Sequence, residues 1–115
     1  MAITILHNPR CSKSRQTLEL LKEKGVEPVI VEYLKDTPTQ AELTEIVRML
    51  KITPRGLMRK KEAPYKELGL DDPSLTDDQL IAAMVANPVL IERPIVISGG
   101  RAALGRPPEA VLEIL

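Results

Sequence analysis

Apolar positions along this chain fall either in short continuous runs or at helical spacing, and the two patterns alternate in the way an α/β protein requires. Residues 2–6 form a short, β-favouring apolar run ending at His7, the pattern of a buried first strand. His7-Asn8-Pro9-Arg10 breaks that run with loop chemistry, since Pro9 disfavours helix at Asn8. Helical spacing follows through Thr17, Leu18, Leu20 and Leu21 and stops at Gly25, a plausible left-handed terminator. Residues 29–34 read as a second strand. A helix joins the two strands, so they are expected to pair in parallel through a right-handed crossover.

The second half follows the same logic. Thr37-Pro38-Thr39 opens a helix with Leu43, Ile46, Val47 and Leu50 on one side, and residues 54–69 read as short basic helical turns around Leu57 and Met58. Thr76 with Gln79 makes a capping-box pattern ahead of Leu80, Ile81, Met84 and Val85, in a helix ending near Asn87-Pro88. Residues 94–98, Gly99-Gly100 and residues 101–104 read as a hairpin, and Pro107-Pro108 begins a final helix. The order is βαβ, then helices, then ββα. This resembles a thioredoxin-like α/β fold with an all-helical insertion, expected as a single domain over residues 1–115.

Composition narrows the class. A chain of 115 residues can bury roughly two-thirds of its unfolded surface, enough for one core. With no Phe or Trp and only Tyr33 and Tyr65, that core is aliphatic, and the platforms that stack nucleobases are missing. Neither a signal peptide nor an apolar run long enough to span a bilayer is present, so a cytoplasmic protein without nucleic-acid or membrane partners is expected. One cysteine excludes an internal disulfide and a multi-cysteine zinc site, and suits a reducing compartment; no metal site is expected.

Formal charge balances at zero, but unevenly along the chain. Residues 1–25 carry five basic and two acidic groups, net +3, and residues 51–66 carry six and one, net +5. Residues 67–92 carry six acids and no base, and residues 93–106 have three arginines and no acid. Basic stretches that converge in space would form an anion site inside a neutral protein; scattered, they are solvated helix faces.

Cys11 stands where this matters. It falls between the first strand and the first helix, at the sheet edge where open α/β folds hold ligands. Unpaired N–H groups and the positive end of the helix dipole favour a thiolate there, together with an anion beside it. Arg15, four residues on, is placed by helical spacing on the same face, and Arg10 and Lys13 add positive potential. A thiol pKa below the free value of ~8.5 is expected. Free cysteines are most often buried and inert within apolar runs. Cys11 instead sits in Pro-Arg-Cys-Ser-Lys-Ser-Arg. A phosphatase-type loop would need arginine where Thr17 stands, and a dithiol motif a cysteine where Ser14 stands. What remains is a monothiol layout whose covalent intermediate needs an outside thiol. His7 is expected to support the loop or tune the thiolate, and the Ser14 hydroxyl to reach it.

Residues His7 to Arg15 closely resemble the His-x3-Cys-x3-Arg signature of the glutaredoxin-coupled arsenate reductase family. The resemblance continues through Leu57-Met58-Arg59-Lys60, Pro64-Tyr65, Leu75 to Leu80, Glu92 to Val96 and Gly105-Arg106-Pro107. It implies that Cys11 attacks arsenate or a similar oxyanion while Arg59, Arg93 and Arg106 hold it, arginine's planar fork suiting a tetrahedral oxyanion. It also implies a cis peptide before Pro94, glutathione as co-substrate with no bound cofactor, glutaredoxin as partner, and a role in arsenic detoxification. The short chain resembles chromosomal members of that family; plasmid-type members carry a further C-terminal extension. Two other functions share the fold: a monothiol oxidoreductase acting on another substrate, and an Spx-like transcriptional regulator. Those regulators commonly present Cys-x-x-Cys, and the three later arginines favour oxyanion chemistry.

Overall fold

The computed structural model describes residues 2–115 and divides the chain into two compact units. The first comprises Met1–Asp36 with Arg93–Leu115, and the second Thr37–Glu92.

In the first unit, β1 (Ile3–Leu6) leads through the Cys11 loop into α1 (Ser12–Glu23) and then β2 (Val29–Val31). After the second unit the chain returns as β3 (Ile95–Ser98) and β4 (Arg101–Leu104), and ends in a 3-10 helix, Pro108–Ile114. The sheet order is β2-β1-β3-β4. β1 and β2 are parallel with Ile5 opposite Ile30; β3 is antiparallel to β1 with Val96 opposite Ile5, and to β4 with Val96 opposite Ala103. Ile5, Leu21, Val96, Val111 and Ile114 form the buried core of this unit, with Ile3, Leu18, Val26 and Ala103 packed against it. α1 and the C-terminal 3-10 helix pack against each other in that layer.

Local chemistry explains where α1 stops. Gly25 takes φ +78, open to glycine at little cost, and its N–H reaches the Lys22 carbonyl (3.0 Å) while Val26 N–H reaches that of Leu21 (2.9 Å). This paired bond pattern ends the helix and turns the chain toward β2. That strand is shorter than the pattern of residues 29–34 suggests: Lys35 and Asp36 N–H both bond back to the Glu32 carbonyl, curling residues 32–36 into a turn. The C-terminal segment adopts 3-10 rather than α geometry, with Pro107 and Pro108 at its start removing two early donors.

The second unit contains α2 (Gln40–Leu50), a 3-10 turn at Arg55–Leu57, α3 (Ala63–Glu67), α4 (Asp77–Ala86) and a 3-10 turn at Pro88–Leu90 that helical periodicity does not predict. Thr39 and Thr76 each close a full capping box, with Glu42 and Gln79 respectively. α2 packs on α4. The expected helical turns around Leu57 and Met58 are only partly helical. Met58 forms a single antiparallel bridge with Ile91, flanked by Arg59 N–H to the Leu90 carbonyl (2.7 Å) and Glu92 N–H to that of Leu57 (2.9 Å). No described helix is long and apolar enough to cross a membrane.

Candidate active site

The loop between β1 and α1 is a closed network of short-range bonds. His7 N–H donates to the Val31 carbonyl (2.8 Å), extending the β1–β2 pairing by one residue. The Asn8 side-chain oxygen accepts the Arg10 N–H (3.0 Å) and its carbonyl accepts the Cys11 N–H (3.0 Å), so one residue turns the chain twice. Asn8 N–H donates to Ser14 Oγ (3.0 Å), and Ser14 Oγ lies 2.6 Å from His7 Nδ1. Burial pushes the His7 pKa down, reinforced by the Arg15 and Lys22 charges against an opposing pull from Glu32. The lowered pKa favours the neutral ring, and one hydrogen bond joins Nδ1 to the Ser14 hydroxyl. Arg15 donates from Nη1 to the Pro9 carbonyl (2.9 Å), so it braces the loop from outside.

Cys11 sits at the N-cap of α1 with extended backbone (φ −95, ψ 124) and is 7% exposed. Its side chain forms no capping bond of good geometry, yet it lies at the open end of the helix. Burial pushes the thiol up. Against it stand the Ser14 backbone N–H, the Arg93 guanidinium, the Lys13 backbone N–H and the Arg106 guanidinium, which together hold the thiol below its ordinary value. Arg106 is in direct reach: Nη2 lies 3.8 Å from Cys11 Sγ, while Nε donates to the Arg93 carbonyl (2.9 Å).

The structure thus brings Cys11, Arg93 and Arg106 together, with His7 and Ser14 behind the loop and Arg15 at its outer edge. Arg93 precedes Pro94 through a cis peptide, as expected; the Arg106–Pro107 bond is cis as well, which the sequence reading does not anticipate. Arg59 lies in the second unit. There its Nη1 pairs with Glu62 Oε1 at 2.9 Å, with both side chains about a quarter exposed (24% and 30%). Among the described residues no cluster of His, Cys, Asp and Glu could hold a metal ion. A surface depression of about 1050 Å³ flanks the loop along Pro9, Lys13, Arg15 and Pro107, and Cys11 is not among its lining residues.

Two residues at this site escape residue-type reasoning. Thr17 is fully buried and donates to the Lys13 carbonyl (2.8 Å), and buried Gly105 donates its N–H to the Pro94 carbonyl (2.9 Å). Neither carries chemistry of its own; the only hint is that Gly105 adjoins Arg106 in Gly-Arg-Pro.

The ArsC family matches residues 6–114 of the chain. The uncharacterized protein YfgD of Escherichia coli (strain K12) is 56% identical over 114 residues, covering 98% of this chain and 96% of its own. A Rhizobium meliloti arsenate reductase is 46% identical over 115 residues, covering 100% of this chain and 82% of its own. Among solved structures, an arsenate reductase from Vibrio cholerae superposes with a TM-score of 0.97 at 52% identity, over 100% of this chain and 98% of that one.

Proposed function

Since the chain belongs to the ArsC family, we propose that it reduces arsenate to arsenite with Cys11 as nucleophile. The observation that carries this reading is the Arg106 guanidinium 3.8 Å from a thiol whose pKa is held down at a helix N-terminus. One arrangement serves both reactants: the positive end that favours thiolate also attracts an oxyanion. The family name and the named relatives support arsenate as that oxyanion.

Cys11 Sγ forms a bond to arsenic as one arsenate oxygen leaves, protonated, as water. Arg93 and Arg106 hold the remaining oxygens; the Arg106 Nε bond to the Arg93 carbonyl fixes its guanidinium beside Cys11. Arg59 is assigned to the oxyanion on its sequence context alone. Glutathione then supplies the second thiol. Its thiolate attacks Cys11 Sγ, the S–As bond breaks with its electron pair going to arsenic, and arsenite departs as a Cys11–glutathione disulfide forms. A further thiol, from glutaredoxin, attacks the mixed disulfide and releases reduced Cys11. The single cysteine supports this external route, because no second cysteine exists to resolve the intermediate internally. His7 and Ser14 act as positioning residues that hold the loop, Arg15 braces it at Pro9, and residues 1–115 act as one catalytic domain in a reducing compartment.

The test is arsenate reduction coupled to glutathione and glutaredoxin, comparing the wild type with Cys11→Ser. Turnover that vanishes with Cys11 is the expected result. Turnover independent of Cys11, or none in the wild type with either reductant, overturns the assignment.

A further inference from the structure

Gly105 is the point at which three parts of the site meet. It follows β4, its N–H is bonded to the Pro94 carbonyl, and the next residue is Arg106. A Cβ placed on it would lie 2.5 Å from Thr17 Oγ1, 2.7 Å from Pro94 Cγ and 3.2 Å from Thr17 Cγ2. The first of these is 0.9 Å inside the 3.4 Å at which ordinary contact begins. Thr17 cannot yield: it is β-branched, fully buried, and its hydroxyl is held by the Lys13 carbonyl in the first turn of α1. The missing side chain therefore lets the first turns of α1, which Cys11 caps, close against the two segments that carry Arg93 and Arg106.

We propose that Gly105 is a positioning residue for the thiolate: the absence of a Cβ there sets the distance between the Arg106 guanidinium and Cys11 Sγ. Any side chain at position 105 wedges between Thr17 and Pro94. The 104–106 segment and α1 then move apart, and the 3.8 Å separation lengthens. An opening of about 1 Å weakens the charge interaction enough to lower the thiolate-to-thiol ratio by about 1.5-fold in a water-like dielectric and about fivefold in a protein-like one. This inference rests on Cys11 being an activated thiol, but it does not require arsenate to be the substrate.

The experiment is the rate of Cys11 alkylation by iodoacetamide against pH, with full-length wild type, Gly105→Ala, Thr17→Ala and the Thr17→Ala/Gly105→Ala double variant. The double variant moves one methyl across the contact, removing Thr17 Oγ1 and Cγ2 while filling part of the space they leave. Gly105→Ala should shift the profile to higher pH and slow alkylation below the wild-type midpoint. The double variant should return part of the way, since it removes both Thr17 contacts and keeps the 2.7 Å approach to Pro94 Cγ. A Gly105→Ala profile that coincides with a depressed wild-type profile overturns this proposal alone. So does a double variant whose profile is no nearer to wild type than that of Gly105→Ala. Should Gly105→Ala fail to fold, the double variant decides: a folded protein with a depressed thiol profile supports the wedge, and loss of fold or an ordinary thiol profile overturns it. An ordinary thiol profile in the wild type overturns the activated-thiol reading and this proposal with it.

Discussion

Removing the Arg106 guanidinium is the sharpest perturbation of the site. Its Nη2 stands 3.8 Å from Cys11 Sγ. Two unit charges at that separation attract by about 1 kcal/mol in water and by about 4 kcal/mol at the effective dielectric of a protein surface. Arg106 is exposed, so solvent screens it and the lower figure governs. About 1 kcal/mol is about a sixfold change in the thiolate-to-thiol ratio. In Arg106→Ala, iodoacetamide alkylation of Cys11 below the wild-type midpoint should slow by about sixfold, with the high-pH plateau unchanged because there both proteins are fully thiolate. Raising the salt to about 1 M should narrow the gap, since screening shortens to about 3 Å. Arg106→Lys keeps the charge but loses the Nε bond to the Arg93 carbonyl. It should retain much of the thiolate while binding arsenate more weakly. Superimposed profiles for wild type and Arg106→Ala would mean that the contact contributes nothing to the anion.

Three further outcomes follow from other parts of the structure. His7 is held below its ordinary 6.5, so as pH falls through that value the unfolded chain takes up a proton that folded His7 refuses. Stability should therefore decline with acidification across the window below 6.5, and thermal melts of His7→Asn should show a flatter pH dependence there; equal slopes would contradict it. Arg59→Ala should raise the KM for arsenate at least about tenfold, the value of a lost charge-assisted bond, with little change in melting temperature. An unchanged KM would remove Arg59 from the oxyanion site. Lys51 ends α2 in the left-handed region at φ 58, where a Cβ is penalised, so Lys51→Gly should raise stability by about 1 kcal/mol in chemical denaturation. A loss of stability would mean the lysine side chain contributes more than the strain takes away.

Neighbours a few residues apart govern the part of the structure that residue types and spacing already reveal. The βαβ and ββ patterns, the Thr76 capping box, Gly25 as terminator and Cys11 at the start of α1 are all set by contacts of that range, and all were legible; the matching Thr39–Glu42 box emerged only in the structure. Where a residue faced two short-range choices, tertiary structure decided between them. Arg15 has the helical spacing to return toward Cys11, yet its guanidinium bonds the Pro9 carbonyl, an acceptor exposed only once the loop has turned. Residues 32–34 have strand composition but curl back on Glu32, and the last segment tightens into a 3-10 helix behind Pro107 and Pro108. The meeting of Arg106 with Cys11 spans 95 residues and depends on β3 and β4 pairing beside β1, which no local pattern encodes. The family resemblance pointed to that arginine; residue spacing could not have. Gly105 was invisible for the same reason. A glycine needed for its backbone angles carries a turn signal, whereas one needed because another segment passes too close carries none until that segment is in place.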